Sequence, residues 1–84
     1  MDGLADRLDP NVASREDLAA LPVLGLNRAG KIVDYREEYS RRHHGGAAFE
    51  RAEDLLKVEG IGTATVEQLR GYLVFGEEPF RPLP

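Results

Sequence analysis

The stretch from Leu55 to Leu69 restricts the fold of this chain more than any other. It reads L-L-K-V-E-G-I-G-T-A-T-V-E-Q-L, with Gly60 and Gly62 on either side of Ile61. Apolar residues at helical spacing before and after the glycines predict two short helices joined by a tight turn. Glycine takes a positive φ without steric penalty, so this turn can reverse the chain within a few residues. It also leaves backbone N–H groups free at the start of the next helix, where the helix dipole favours a phosphate.

The same pattern occurs twice along the chain. A shift of 37 residues places Glu16-Asp17-Leu18 on Glu53-Asp54-Leu55. It also places Leu21 on Val58, Leu24 on Ile61, Gly25 on Gly62, Ile32 on Leu69 and Tyr35 on Tyr72. Each unit is too small to bury its own apolar face, so two units are expected to pack together by pseudo-twofold symmetry. The sequence therefore predicts an all-α fold, a compact four-helix domain of two helix–turn–helix units.

Capping and breaking residues set the predicted bounds. We expect a flexible, loosely packed lead-in over 1–10, a folded domain over 11–75 and a proline-rich tail over 76–84. In the first half of the domain we expect helix 1 from the N-cap Ser14 to about Leu21, a turn at about 22–26 and helix 2 from about Leu26 to His43. In the second half we expect helix 3 from about Ala52 to Lys57, a turn at about 58–63 and helix 4 from the N-cap Thr63 to about Leu73. The predicted core comprises Leu18, Leu21, Ala29, Ile32, Val33, either Tyr35 or Arg36, Tyr39, Phe49, Val66, Leu69, Tyr72 and Leu73. Gly30 inside helix 2 either permits close packing or is incidental.

Composition narrows the classes of function. The 84 residues carry a net charge of −4, which argues against a general affinity for polyanions but leaves room for a local basic site. The chain lacks cysteine, so neither a disulfide framework nor a thiolate metal site is expected. His43 and His44 have no spaced partner and do not predict a metal site. The sequence contains no Ser-His-Asp or Cys-His set, so we do not expect an enzyme.

The compartment stays open at this point. The chain has neither an apolar run of about 20 residues nor a basic segment followed by an apolar one at its N-terminus. We therefore expect no membrane segment in this chain, which would be either a cytoplasmic protein or a soluble domain cut from a longer exported one.

Each unit resembles the helix-hairpin-helix motif of DNA-binding proteins, and the tandem resembles the ComEA-like family of bacterial DNA-uptake and competence proteins. The resemblance covers about residues 8–75. The segments that carry it are Asn11-Val12-Ala13-Ser14, Leu18-Ala19-Ala20-Leu21-Pro22, Ile32-Val33-Asp34-Tyr35-Arg36, Glu53-Asp54-Leu55-Leu56, Gly60-Ile61-Gly62 and Leu69-Arg70-Gly71-Tyr72-Leu73. It implies a SAM-like fold of two hairpins that bind double-stranded DNA without sequence preference, one strand to each hairpin. In related hairpins backbone carbonyls also hold a monovalent cation, Na⁺ or K⁺, which would here involve Leu56, Val58 and Ile61.

Two phosphate sites follow from this resemblance and from the turn pattern. Hairpin 2 would use the backbone amides of Gly60, Gly62, Ala64 and Thr65, and hairpin 1 would use Gly25, Asn27, Arg28 and Lys31. Because position 62 is expected to have a positive φ, Gly62→Val is expected to destabilise the fold as well as to remove binding.

The two hairpins depart from the family pattern in opposite ways. Val23 stands where the first glycine is usual, so the first turn must either change shape or bear strain. Leu26 stands where proline is usual. In hairpin 2, Ala64 stands where lysine is common, and Glu59 adds a negative charge to the turn. Hairpin 1 thus has basic residues but a poor turn geometry, whereas hairpin 2 has a good turn geometry but no basic neighbour. DNA binding should therefore be weak and salt-dependent. The alternative is a protein-interaction or scaffold module that keeps the fold without binding DNA.

Overall fold

Two helical hairpins follow one another along the chain in the computed structural model, which describes residues 7–44 and 46–75. The first consists of helix α1 (Arg15–Ala19) and helix α2 (Gly25–His43). The second consists of a 3₁₀ helix (Ala52–Lys57) and helix α3 (Thr63–Leu69), which continues as a 3₁₀ turn over Arg70–Tyr72. The all-α prediction is confirmed. One isolated β-bridge, between Leu8 and Leu73, is the strand-type pairing in the described part of the chain.

Helix α1 begins where the sequence predicts and ends two residues early. The Ser14 hydroxyl accepts the Asp17 N–H at 3.0 Å, so Ser14 is the N-cap. After Ala19 the hydrogen bonding tightens, because the Leu21 N–H donates to the Leu18 carbonyl at 3.0 Å. Pro22 has no N–H to continue the helix, and the chain turns toward α2.

Helix α2 is the longest element and spans most of the domain. It begins at Gly25, one residue before the predicted start, and ends at His43. His44 closes it in the left-handed conformation with φ 55°, and its N–H donates to the Ser40 carbonyl. The His43 ring stacks on Tyr39 with centroids 4.1 Å apart. His43 and His44 therefore form the last residue and the C-cap of α2.

The second hairpin corrects two details of the prediction. Residues 52–57 form a 3₁₀ helix, a tighter winding than the α-helix. The N-cap of α3 is Gly62 and not Thr63, which is already the first helical residue. Glycine has no side chain with which to cap, so the first turn of α3 starts without a side-chain hydrogen bond. These N–H groups face outward for another acceptor.

The core lies between the two hairpins and is centred on Phe49, which is completely buried, as predicted. The Phe49 ring stacks on Tyr35 with centroids 5.5 Å apart. Tyr72 is 42% exposed, so its placement in the core was wrong. The buried apolar residues are Ala13, Leu18, Leu21, Leu24, Ala29, Ile32, Ala48, Phe49, Ala52, Leu55, Val58, Ile61, Val66, Leu69 and Leu73. Val33 and Tyr39 are partly buried against them.

The chain before α1 belongs to the folded domain from Leu8 onward, so the prediction of a loose lead-in is wrong there. The Leu8 N–H donates to the Tyr72 carbonyl at 2.9 Å, and the Leu8 carbonyl accepts the Val74 N–H at 2.9 Å. The Asn11 side chain bonds both the carbonyl and the N–H of Phe49, at 2.8 and 2.9 Å. The rest of the predicted lead-in, residues 1–6, and the proline-rich tail over 76–84 lie outside the described residues.

Surface ion pairs join the helices of the second hairpin. Arg70 bonds the carboxylates of Glu53 on the 3₁₀ helix and Glu67 on α3. These hydrogen bonds from Arg70 hold the pKa of both glutamates below the ordinary value. Arg41 and Arg42 act in the same way on the pKa of Glu38 near the end of α2. Within 7–44 and 46–75, no helix has the length and hydropathy needed to cross a membrane.

Candidate nucleic-acid interface

The turn of hairpin 2 has an open backbone at its tip. Gly60 has a φ of 90°, and Ile61 turns inward to the core, where it is 5% exposed. Gly62 is extended, with φ −111° and ψ −176°, so the expectation of a positive φ at this position is wrong. A Cβ added at Gly62 would meet nothing within 4 Å. The Gly62 carbonyl accepts the Val66 N–H, which leaves the N–H groups at the start of α3 without acceptors inside the helix.

The turn of hairpin 1 bears strain at its first position and changes shape at its third. Val23, which corresponds to Gly60, takes a φ of 61°. This conformation costs an L-residue about 1–2 kcal/mol. Gly25 has a φ of 71°, whereas its counterpart Gly62 is extended. The two turns therefore match at their first position and differ at their third.

Arg28 connects the two turns. Its Nε donates to the Gly60 carbonyl at 3.0 Å. Its Nη1 donates to the carbonyls of Val23 and Leu24 at 3.2 and 3.4 Å. One guanidinium thus holds the tips of both hairpins together, a structural role that the sequence did not reveal. Its Nη2 forms no hydrogen bond with any described residue and stays available to a ligand.

Lys31 also reaches across to hairpin 2. Its Nζ lies 3.7 Å from a carboxylate oxygen of Glu59, and both side chains are well exposed. Its Cδ would lie 3.8 Å from a Cβ placed at Gly60. The structure therefore brings the basic residues predicted for hairpin 1 against the turn of hairpin 2. From the sequence, the basic residues and the favourable turn geometry belonged to different hairpins. In the folded domain they lie next to each other.

The remaining predicted residues divide between the two helix starts. Gly25 and Asn27 are exposed at the beginning of α2, and Asn27 lines a cleft with Lys31. Ala64 and Thr65 lie in the first turn of α3. Within the described residues, their side chains form no hydrogen bond with the basic residues of α2.

Arg15 lines the same cleft as Asn27 and Lys31, although the sequence did not single it out. Its Nε donates to the Leu26 carbonyl at 3.4 Å. The available signal was a cation in the first turn of α1, an unfavourable position for a positive charge next to the helix dipole.

The carbonyl groups proposed for a monovalent cation belong to the turn of hairpin 2. The Val58 carbonyl accepts the Ile61 N–H at 3.1 Å. A carbonyl oxygen has two lone pairs, so this bond leaves one for a cation. A cation at Leu56, Val58 and Ile61 stays a prediction.

Comparison with known proteins places this geometry in context. A family model described as a helix-hairpin-helix motif matches residues 5–74. An uncharacterized protein of Haemophilus influenzae is 38% identical over 73 residues, which cover 86% of this chain and 59% of that protein. Endonuclease/exonuclease/phosphatase family domain-containing protein 1 of Xenopus laevis is 40% identical over 65 residues, 77% of this chain and 10% of that protein. ComE operon protein 1 of Bacillus subtilis is 35% identical over 60 residues, 71% of this chain and 26% of that protein. The chain thus spans only part of each of these relatives.

Proposed function

The chain belongs to the helix-hairpin-helix family, as a ComEA-like domain, and on that premise we propose that it binds double-stranded DNA without sequence preference. The family match and the similarity to ComE operon protein 1 support nucleic-acid binding, and a binding domain in place of a catalytic one. In the proposed complex, backbone N–H groups at the two hairpins contact phosphates, one strand to each hairpin. Contacts to phosphates alone carry no sequence information.

The observation that carries the proposal is the bond of Arg28 to both turns. Because its guanidinium joins Gly60 to Val23 and Leu24, the two hairpin tips share one surface. That surface contains the uncapped start of α3 and the basic first turns of α2. A duplex offers two lines of phosphates, which two adjacent tips can contact together.

The net charge of −4 does not oppose this proposal, because the charge is unevenly placed. Arg28 and Lys31 lie at the tips, while Glu59 is the acidic side chain paired with Lys31 there. Glu59 competes with a phosphate for the Lys31 ammonium group. Affinity should therefore be modest and should fall steeply with salt.

The test is fluorescence anisotropy of a short labelled duplex, titrated with the domain at several salt concentrations. We expect saturable binding, similar for unrelated sequences, with a log–log salt slope of about −0.9 for each phosphate contact. Lys31→Gln should weaken binding and reduce the slope by about 1. Glu59→Gln should strengthen binding at low salt, because it frees Lys31 without adding a charge elsewhere.

Arg42→Gln is the matched control. It removes one charge from the same helix, and Arg42 lies eleven residues, or about 16 Å, further along α2. We expect it to bind as the wild type does. A wild-type domain that fails to bind at low salt would overturn the proposal, as would equal losses in Lys31→Gln and Arg42→Gln. A charge reversal at Arg28 would be a poor test of DNA binding, because it would also break the hydrogen bonds that link the two hairpins.

A protein-interaction or scaffold role is the second candidate. Val23 and Leu26 place apolar surface at hairpin 1, with 41% and 55% of each residue exposed. Contiguous exposed apolar surface marks protein-contact sites, and these two side chains would form part of one. Absence of DNA binding at low salt, together with retained folding, would favour this role.

A further inference from the structure

Arg15 occupies a position that the stability of its own helix does not explain. It is the first residue of α1, where the positive end of the helix dipole repels a cation. The acidic residues of that turn, Glu16 and Asp17, are the favourable ones. No ion pair joins Arg15 to a carboxylate anywhere in the described residues. Its placement therefore calls for a reason outside α1.

The side chain of Arg15 crosses to α2 and lies against Gly30. Nε donates to the Leu26 carbonyl at 3.4 Å. A Cβ placed at Gly30 would approach Nε to 3.2 Å, which is closer than ordinary van der Waals contact. Gly30 thus allows the guanidinium to rest on the surface of α2. Of the two interpretations left open by the sequence, close packing is the correct one.

The contacts of Arg15 orient it without neutralising it. A carbonyl is uncharged, so the bond to Leu26 leaves the full positive charge in place. Arg28 is held in the same manner by the carbonyls of hairpin 1. In the described part of the chain most other basic side chains are instead paired with carboxylates, namely Lys31, Arg36, Arg41, Arg42, Lys57 and Arg70.

The charge of Arg15 faces a cleft that already contains two predicted phosphate ligands. Arg15, Asn27 and Lys31 line it together, with Gly30 on its wall and Asp34 as its acidic member. The Nη1 and Nη2 groups of Arg15 form no hydrogen bond with a described residue. Two cationic side chains, of which Lys31 is also paired with Glu59, and one amide therefore line a space open to solvent, which suits an anionic oxygen.

We propose that Arg15 is a further phosphate-binding residue, which extends the DNA contact of hairpin 1 by one backbone phosphate held in the cleft with Asn27 and Lys31. This inference rests on the DNA binding proposed above. Gly30 is the positioning residue, because it lets the guanidinium lie at the cleft.

Two variants test this inference by anisotropy at several salt concentrations. Arg15→Gln should weaken duplex binding and make the salt slope shallower by about 0.9, the value for one phosphate. Its melting temperature should change little, because the lost bond to the Leu26 carbonyl is long and exposed and an unfavourable cation leaves the start of α1. Gly30→Ala keeps the arginine but forces its Nε to shift by a few tenths of an ångström. It should weaken binding less than Arg15→Gln does, while it raises the melting temperature because alanine is the better helix former.

Arg51→Gln is the matched control. Arg51 is exposed, forms no ion pair with a described residue and precedes the first turn of the 3₁₀ helix, much as Arg15 opens α1. We expect it to bind DNA with the wild-type slope. A wild-type slope in Arg15→Gln, beside a reduced slope in Lys31→Gln, would overturn this inference and leave the proposed function standing. A wild-type domain that does not bind duplex would overturn both.

Discussion

Replacing Gly60 and Gly62 separately by alanine should change stability to different extents, although the two glycines flank the same residue. Gly60 has a φ of 90°, in the region that L side chains rarely adopt. Gly62 has a φ of −111°, which any residue adopts, and open space where a Cβ would lie. The sequence presents the two positions as equivalent, and only the backbone angles separate them.

The sizes of the two effects follow from these angles. A Cβ in the left-handed region costs about 1–2 kcal/mol. Alanine in place of glycine recovers about 0.4–1 kcal/mol, because it restricts the unfolded chain. Gly60→Ala should therefore lower the free energy of unfolding by about 1 kcal/mol, which corresponds to a loss of about 4–8 °C in melting temperature for a domain of this size. Gly62→Ala avoids the left-handed cost, but alanine is a poorer N-cap than glycine at the start of α3. This cost offsets the gain, so stability should stay within about 0.5 kcal/mol of the wild type.

Thermal and urea unfolding, followed by circular dichroism, measure both variants against the wild type. Equal destabilisation by the two alanines would refute the argument from backbone angles. DNA titration supplies a second readout. Gly62→Ala should fold well and yet bind duplex more weakly, since its methyl group stands at the open tip where a phosphate would approach. The combination of unchanged stability with lower affinity separates the role of Gly62 in binding from any role in folding.

Two further predictions concern strain and pH. Val23→Asn should raise the free energy of unfolding by about 0.5–1 kcal/mol, because asparagine tolerates the left-handed region. The control is Val12→Asn, at an exposed valine whose φ is not positive. The strain argument would be contradicted if Val23→Asn were no more stable than this control. Arg70→Met should lower the melting temperature at neutral pH, because Arg70 holds the pKa of Glu53 and Glu67 below 4.5. A glutamate whose pKa is lowered in the folded state stabilises the fold above its ordinary pKa, and this benefit is lost as the pH falls through the lowered folded pKa. The difference in melting temperature between Arg70→Met and the wild type should therefore close in acid. A difference that does not change with pH would contradict the prediction.

Several departures from the predictions have a common physical cause in long-range pairing. Leu8 was expected to lie in a loose lead-in, but it pairs with the backbone on both sides of Leu73 at the other end of the domain. Tyr72 was expected in the core from its helical spacing, but α3 gives way to a 3₁₀ turn at Arg70, which rotates the side chain outward. A pattern within one segment does not record which distant segment will pair with it.

The sequence by itself determined the helical class, the two hairpins, the N-cap at Ser14 and the burial of Leu18, Phe49 and Leu69. These depend on periodicity, capping residues and glycine spacing, which act over a few neighbouring residues. The tandem family resemblance followed from the same local patterns, and the family match over residues 5–74 confirms it.

Only the tertiary structure shows which basic side chains contact which turn. Arg28 bonds Gly60, and Lys31 pairs with Glu59, only because the two units pack with their turns adjacent. The destination of a long side chain depends on which surface lies opposite it, and its own neighbours in the sequence do not specify that surface. For the same reason the sequence does not show that Gly30 lets the Arg15 side chain pack on α2, which follows only from the packing of the two helices.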